Sequence, residues 1–196
     1  MDAIKITETT KIETMTVSDL LTAQDVGEVA TPDIQRPAGV WSAEQCAKLE
    51  DTIIRGWGIG TISIVEIIRD GKILHLLVDG LQRLTALRTQ VDAAQAAFDA
   101  AEAAYTAAAD EGAKVDANPA ADAATKAAAV AALDAAKRDY ETAQRRYITL
   151  CEYPVAVTVT TTDEPTTAAE LFVRLNNGTP LSKTQRGTAG LKPDVL

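Results

Sequence analysis

The sequence is short of the groups that usually announce chemistry. Aromatic residues are 4% of its 196 residues, so a core has to be aliphatic. It has one histidine, His75, and from a single imidazole no Ser–His–Asp or Cys–His arrangement can be argued. His75 falls inside an apolar run and reads as a satisfied sheet residue rather than a base. Its two cysteines, Cys46 and Cys151, lie far apart, without zinc-ligand spacing or the look of a disulfide framework. No apolar run approaches membrane-spanning length, and the N-terminus lacks an apolar signal core. A reducing cytoplasm is the default location. Positive charge is also scarce: 19 Lys and Arg stand against 28 Asp and Glu, a net charge of −9. That balance disfavours broad DNA binding through phosphate neutralisation.

What is present is 46% hydrophobic residues, enough for one domain with its own core. An Ala-rich stretch, 91–146, carries 10 acids and 6 bases, net −4, and leaves −5 for the rest. The reading is a domain made of 11–90 and 147–196, an insertion at 91–146, and a loose N-terminus at 1–10. Thr14 to Val17 suggests a first strand and Ser18 to Leu21 a short helix. Val29 to Gln35 is extended, since Pro32 and Pro37 disfavour helix there. Ser42 with Gln45 forms a capping box for a helix ending near Arg55. Gly56-Trp57-Gly58-Ile59-Gly60 is a turn, with the freedom to close over a ligand. Trp41 and Trp57 are expected to be core anchors. Thr61 to Ile68 and Lys72 to Val78 form a β-hairpin about Asp70-Gly71.

The helix begun at Leu84 continues into the insertion, and Leu84, Leu87, Val91, Ala94, Phe98, Ala101, Tyr105 and Ala108 step by three and four. Ala129, Leu133, Ala136, Tyr140, Ala143, Tyr147 and Leu150 do the same, and both sets make heptad seams. Gly112 and Asn118-Pro119 are expected to break them, giving an antiparallel helical hairpin with arms of roughly 40 Å. Pro154 to Thr161 is a β-branched strand. A helix follows to Leu175, stopped by Asn176-Asn177-Gly178. Ser182 and Gln185 cap a last helix. The fold class is α+β: a small mixed sheet with flanking helices, interrupted by the Ala-rich hairpin.

The run from Val78 to Leu87 carries the most information. An apolar strand ends at Asp79, Gly80 makes the turn, and Leu84 and Leu87 open a helical period. The first N–H groups of such a helix lack intrahelical partners, and its dipole adds positive potential. Gly80 allows close approach to the backbone, and Arg83 adds a fork of donors. The junction suits a phosphate, with Asp79 placed to hold a metal ion or accept a proton. Arg88, on the same helix, lies outside this run and serves as a reference position. Arg36, Arg83, Arg174 and Arg186 could together form a small local basic site.

Three segments occur in order: Pro32-Asp33-Ile34-Gln35-Arg36-Pro37 with Val40-Trp41-Ser42, then Asp79-Gly80-Leu81-Gln82-Arg83-Leu84-Thr85, then Leu171 to Ser182. Together they resemble the ParB/sulfiredoxin-like superfamily, and within it the N-terminal domain of GmrSD-type modification-dependent restriction enzymes. The resemblance runs from about Val17 to Arg186, outside the insertion. Leu81 stands where that branch has the first Gln of a pair, and Ile34 where it has Tyr. Ala38 also replaces a usual aromatic.

The resemblance implies a nucleotide-binding domain of a DNA-processing or restriction system, taking a nucleoside triphosphate with a divalent metal, magnesium first, and able to hydrolyse it. Asp79 and Arg83 would be catalytic, with Asp79 the metal ligand. Gln35, Arg36, Gly80, Gln82, Arg83, Arg174 and Asn176 would contact nucleotide or phosphate. With one His, no HNH nuclease chemistry is expected in this sequence, so a nuclease or other effector chain is an expected partner. The alternative is a non-enzymatic phage or regulatory assembly protein that self-associates through the helical hairpin. A DNA-binding module like ParB fits the acidic charge less well.

Overall fold

The computed structural model describes residues 8–32, 41–69, 71–164 and 166–175. The fold is α+β, as expected: among these residues five strands form one mixed sheet, accompanied by five helices. In chain order they are β1 (Thr9–Thr16), α1 (Val17–Asp25), β2 (Val29–Ala30), α2 (Ala43–Ile54), β3 (Ile62–Arg69), β4 (Lys72–Asp79), α3 (Leu81–Ala117), α4 (Ala123–Cys151), β5 (Pro154–Thr162) and α5 (Thr166–Leu175).

The sheet order is β1-β5-β3-β4-β2. The β3–β4 hairpin forms as expected, with Val65 opposite Leu76 and Ile67 opposite Leu74. β5 lies parallel to β3, with Ile64 beside Val159, and antiparallel to β1. The chain that joins β4 to its non-neighbour β5 is the pair α3 and α4.

Alternation gives the sheet two faces. On one, Val65, Ile67, Leu76 and Val78 bury with Ala168 of α5, and Leu74 and Leu171 pack against them. The other face buries Ile62, Ile64, Leu77, Val157 and Val159. The first turns of α3 bury Leu84, Ala86 and Leu87, so the helix start is anchored in the core.

β1 begins five residues before the strand start at Thr14 read from sequence. Its Thr, Lys and Glu residues show little apolar alternation because it is an exposed edge strand, where charge discourages pairing with other chains. Two helix starts use full capping boxes. Ser42 and Gln45 cap α2 as expected, and Thr16 with Asp19 does the same for α1.

The chain divides into a sheet-bearing unit, up to Arg88 and from Glu152 onward, and a helical unit, Thr89–Cys151. In the helical unit, Phe98 stacks with Tyr147 and tilts against Tyr140, which stacks with Tyr105. This descending pairing makes the two arms antiparallel. Asn118 and Asp122 build the turn: Asn118 Oδ1 accepts the Ala120 N–H at 2.9 Å, and Asp122 Oδ1 accepts that of Thr125 at 2.7 Å. The expectation that Gly112 breaks the first arm is corrected, because α3 runs through it to Ala117. A single Gly costs a helix roughly 1 kcal/mol against Ala, which a long Ala-rich helix absorbs.

The core-anchor expectation also fails for Trp57, which is 60% exposed. Arg88, the reference position, has a structural role of its own. It binds Asp25 at 2.8 Å and donates to the Leu21 carbonyl at 3.1 Å, tying α3 to α1.

Candidate functional site

The site is built where β4 hands over to α3. β4 ends at Asp79, α3 starts at Leu81, and Gly80 alone lies between them. The Gly80 carbonyl accepts the first helical bond, from the Leu84 N–H at 2.9 Å. Gly80 has φ +105°, where a side chain would be strained, and a Cβ there would strike the Ile62 side chain. The space beside the Gly80 Cα is taken by the buried Ile62 side chain, so glycine is required here by packing within the protein itself. Beside the turn the β3–β4 register shifts between Ser63 and Ile64, a bulge that re-aims the strand end.

Arg83 reaches back from the first turn of α3. Its Nη2 lies 2.7 Å from Asp79 Oδ2, and its Nη1 donates to the Ile59 carbonyl at 3.2 Å. The Arg83 side chain is 18% exposed and that of Asp79 is 40% exposed. The guanidinium thus joins three stretches: the end of β4, the start of α3 and the Gly56–Gly60 loop. That loop fits closely around it, since a Cβ on Gly60 would sit 2.8 Å from Nη1.

The placement runs against simple helix electrostatics. A helix start favours acids, yet the first turn of α3 contains none and holds Arg83 instead. Asp79 offsets that cost from the turn before. The result is a positive group, mostly buried, at a helix end already positive by its dipole.

Gln82 is half-buried in the same first turn. Thr85 turns its hydroxyl back to the Leu81 carbonyl at 2.9 Å, within its own helix. Arg174 lies near the end of α5, with its Nη2 3.8 Å from Glu170, and both side chains are largely exposed. Gln35, Arg36, Arg186 and Asn176 lie outside the described residues, as do Asp70, the part of the expected extended stretch Val29 to Gln35 that follows Pro32, the Asn176-Asn177-Gly178 stop, and the capping box at Ser182 and Gln185. The structure thus brings Asp79, Gly80 and Arg83 together, and adds Ile59 and Gly60 from the loop that the sequence reading had as a turn free to close over a ligand.

Among the described residues no three His, Cys, Asp or Glu side chains cluster as a ready metal cage. The donor set still fits a hard cation in one manner. Magnesium commonly takes one or two carboxylates and completes its shell from substrate phosphates and water. Asp79 could supply Oδ1 while Oδ2 engages Arg83.

His75 is satisfied within the sheet. Its Nε2 lies 3.1 Å from Glu66 Oε2, and Glu66 Oε1 accepts the Thr161 hydroxyl at 2.9 Å. The Thr161 and His75 bonds hold the Glu66 carboxyl below its ordinary value.

Comparison with known proteins gives one family. The profile described as GmrSD restriction endonuclease, N-terminal domain, matches residues 17–185. No curated protein and no solved structure matches the chain.

Proposed function

Because the chain belongs to the GmrSD restriction endonuclease N-terminal domain family, and so carries a domain of a restriction system, we propose that the Asp79–Arg83 junction binds the phosphates of a nucleoside triphosphate. The observation that carries this reading is Arg83 itself. A cation in the first turn of a helix works against the dipole, and such a placement suits a site that receives an anion. The backbone at Gly80 and the first turn of α3 cradle phosphate, and Arg83 with Arg36 neutralises its charge. Asp79 holds the metal that accompanies the phosphates or orients water for hydrolysis. A divalent metal held by Asp79 would supply charge neutralisation to the phosphates. Gln35, Gln82, Arg174 and Asn176 hydrogen-bond the rest of the nucleotide.

Calorimetric titration of the folded chain with nucleoside triphosphates, with and without magnesium, tests this directly. Binding that strengthens with magnesium is the expected result. No heat with any nucleotide defeats the reading. Phosphate release in the same samples reports whether bound nucleotide is hydrolysed.

A second reading has one observation in its favour. In the helical unit, Ala109, Gly112, Ala129, Val130 and Leu133 line a groove of about 300 Å³, and Val130 is 60% exposed. Self-association through this arm would cover it. A monomer at all concentrations by sedimentation removes that reading.

A further inference from the structure

Trp57 combines an exposed ring with a backbone fixed on both sides. α2 ends in a Schellman arrangement, with the Gly56 N–H bonded to the Ile53 carbonyl at 2.8 Å and the Trp57 N–H to the Thr52 carbonyl at 3.0 Å. In that motif the residue at the Trp57 position often folds back onto the helix. Here it stays 60% exposed. Its carbonyl accepts the Tyr153 hydroxyl at 2.6 Å, from just before β5. Its ring carries the Arg55 guanidinium 5.2 Å from the ring centroid, and Arg55 is itself held by Asp51 at 2.7 Å.

The Trp57 backbone is also close to the candidate phosphate turn along the chain. Two residues on, the Ile59 carbonyl is bound by Arg83. Two Cα steps of about 3.8 Å limit how far the Trp57 backbone can lie from that bond. A large apolar surface left in water beside a polar site has a cost that core packing would have avoided. A ring whose backbone is already fixed loses little further entropy when it binds a flat partner.

We propose that Trp57 is the base-stacking residue of the same nucleotide site, with Arg55 covering one of its faces. The inference rests on the phosphate-site reading and adds to it the group that receives the nucleobase. Stacking tolerates any base, because every base has a π-face. Trp57 therefore contributes affinity for nucleotides over bare phosphates, with little preference among the bases.

The test uses the full chain with Trp41→Phe, which leaves Trp57 as the sole tryptophan. Titration with each of the four common ribonucleoside triphosphates should quench its emission, saturating at the affinity measured by calorimetry. Inorganic tripolyphosphate, which has no base, should bind without comparable quenching. Trp57→Ala should weaken nucleotide binding about five- to a hundredfold and leave tripolyphosphate affinity unchanged. Trp57→Phe should keep most of the affinity, and circular dichroism checks that each variant is folded. Nucleotide binding without quenching, and with unchanged affinity in Trp57→Ala, overturns the role of Trp57 and leaves the phosphate site standing. Equal losses for nucleotide and tripolyphosphate also overturn it, since they mark a structural effect on the turn. Failure of every nucleotide to bind overturns both.

Discussion

In the sheet-bearing unit Ile62, Val65, Leu77, Leu87 and Val157 are each fully buried, and Gly80 cannot accept a Cβ without striking Ile62. In the helical unit the seam from Ala101 to Ala108 is only half-buried, and a Cβ on Gly112 would meet nothing. The first unit is held by contacts between residues distant in sequence. The second relies more on helix propensity, a few stacked rings and a capped turn. Small-residue seams allow close packing but bury little area, so the strength of the helical unit is spread thinly along its length. The proposed site follows the same division. The glycine turn at Gly80 and the cation in the first turn of α3 lie in the unit that is tightly packed, where side chains can be held in one geometry.

Substitutions at these points sharpen the contrast. The largest effect is expected from Gly80→Ala, which meets both a positive φ and the Ile62 side chain. It should destabilise the sheet-bearing unit by about 2–5 kcal/mol in urea unfolding. Tyr140→Ala removes the ring that touches both Phe98 and Tyr105. Its cost, about 1–3 kcal/mol, should appear in the helical unit, read by hydrogen exchange along α3 and α4.

A smaller effect concerns acid. The Glu66 carboxyl sits below its ordinary value of 4.5, chiefly through Thr161 and then His75. A carboxylate depressed by folding adds stability above its unfolded value and loses it as pH falls through the folded one. The wild-type chain should therefore lose stability below about pH 4.5 more steeply than Glu66→Gln, measured as unfolding midpoints across pH. The smallest effect has the opposite sign. Gly112→Ala should stabilise α3 by about 0.5–1 kcal/mol, visible as slower exchange near the turn. A loss of stability there would show that the helical unit is more tightly packed than its half-buried seam indicates.

How much was legible in the sequence follows from the range of each signal. The Ser42 and Gln45 box, the β3–β4 hairpin and the strand–Gly–helix junction at Asp79 and Gly80 are local patterns, and each could be read from a few adjacent residues. The early part of β1 was not legible, because an exposed edge strand of Thr, Lys and Glu shows no apolar alternation. Gly112 misled because a glycine weighs against a helix one residue at a time, whereas an Ala-rich helix is stabilised along its whole length. The bond from Arg83 to Ile59, 24 residues apart, has no local signature at all. That bond turns Arg83 from a free anion-binding group into one shared between a loop and an acid. The outward placement of Trp57 was hidden for the same reason, since the Tyr153 hydroxyl that fixes its backbone lies 96 residues away.

The measurement that bears most directly on the account is nucleotide affinity in Arg83→Ala and Arg83→Lys, by calorimetry beside an unfolding curve for each. Loss of a charge-assisted contact of about 1.5–3 kcal/mol should weaken binding roughly ten- to a hundredfold or more in Arg83→Ala. Arg83→Lys should recover only part, because an ammonium cannot make the two-pronged contact. If Arg83→Ala unfolds the domain while binding per folded molecule is unchanged, Arg83 only ties the Ile59 carbonyl to Asp79, and the phosphate site is contradicted.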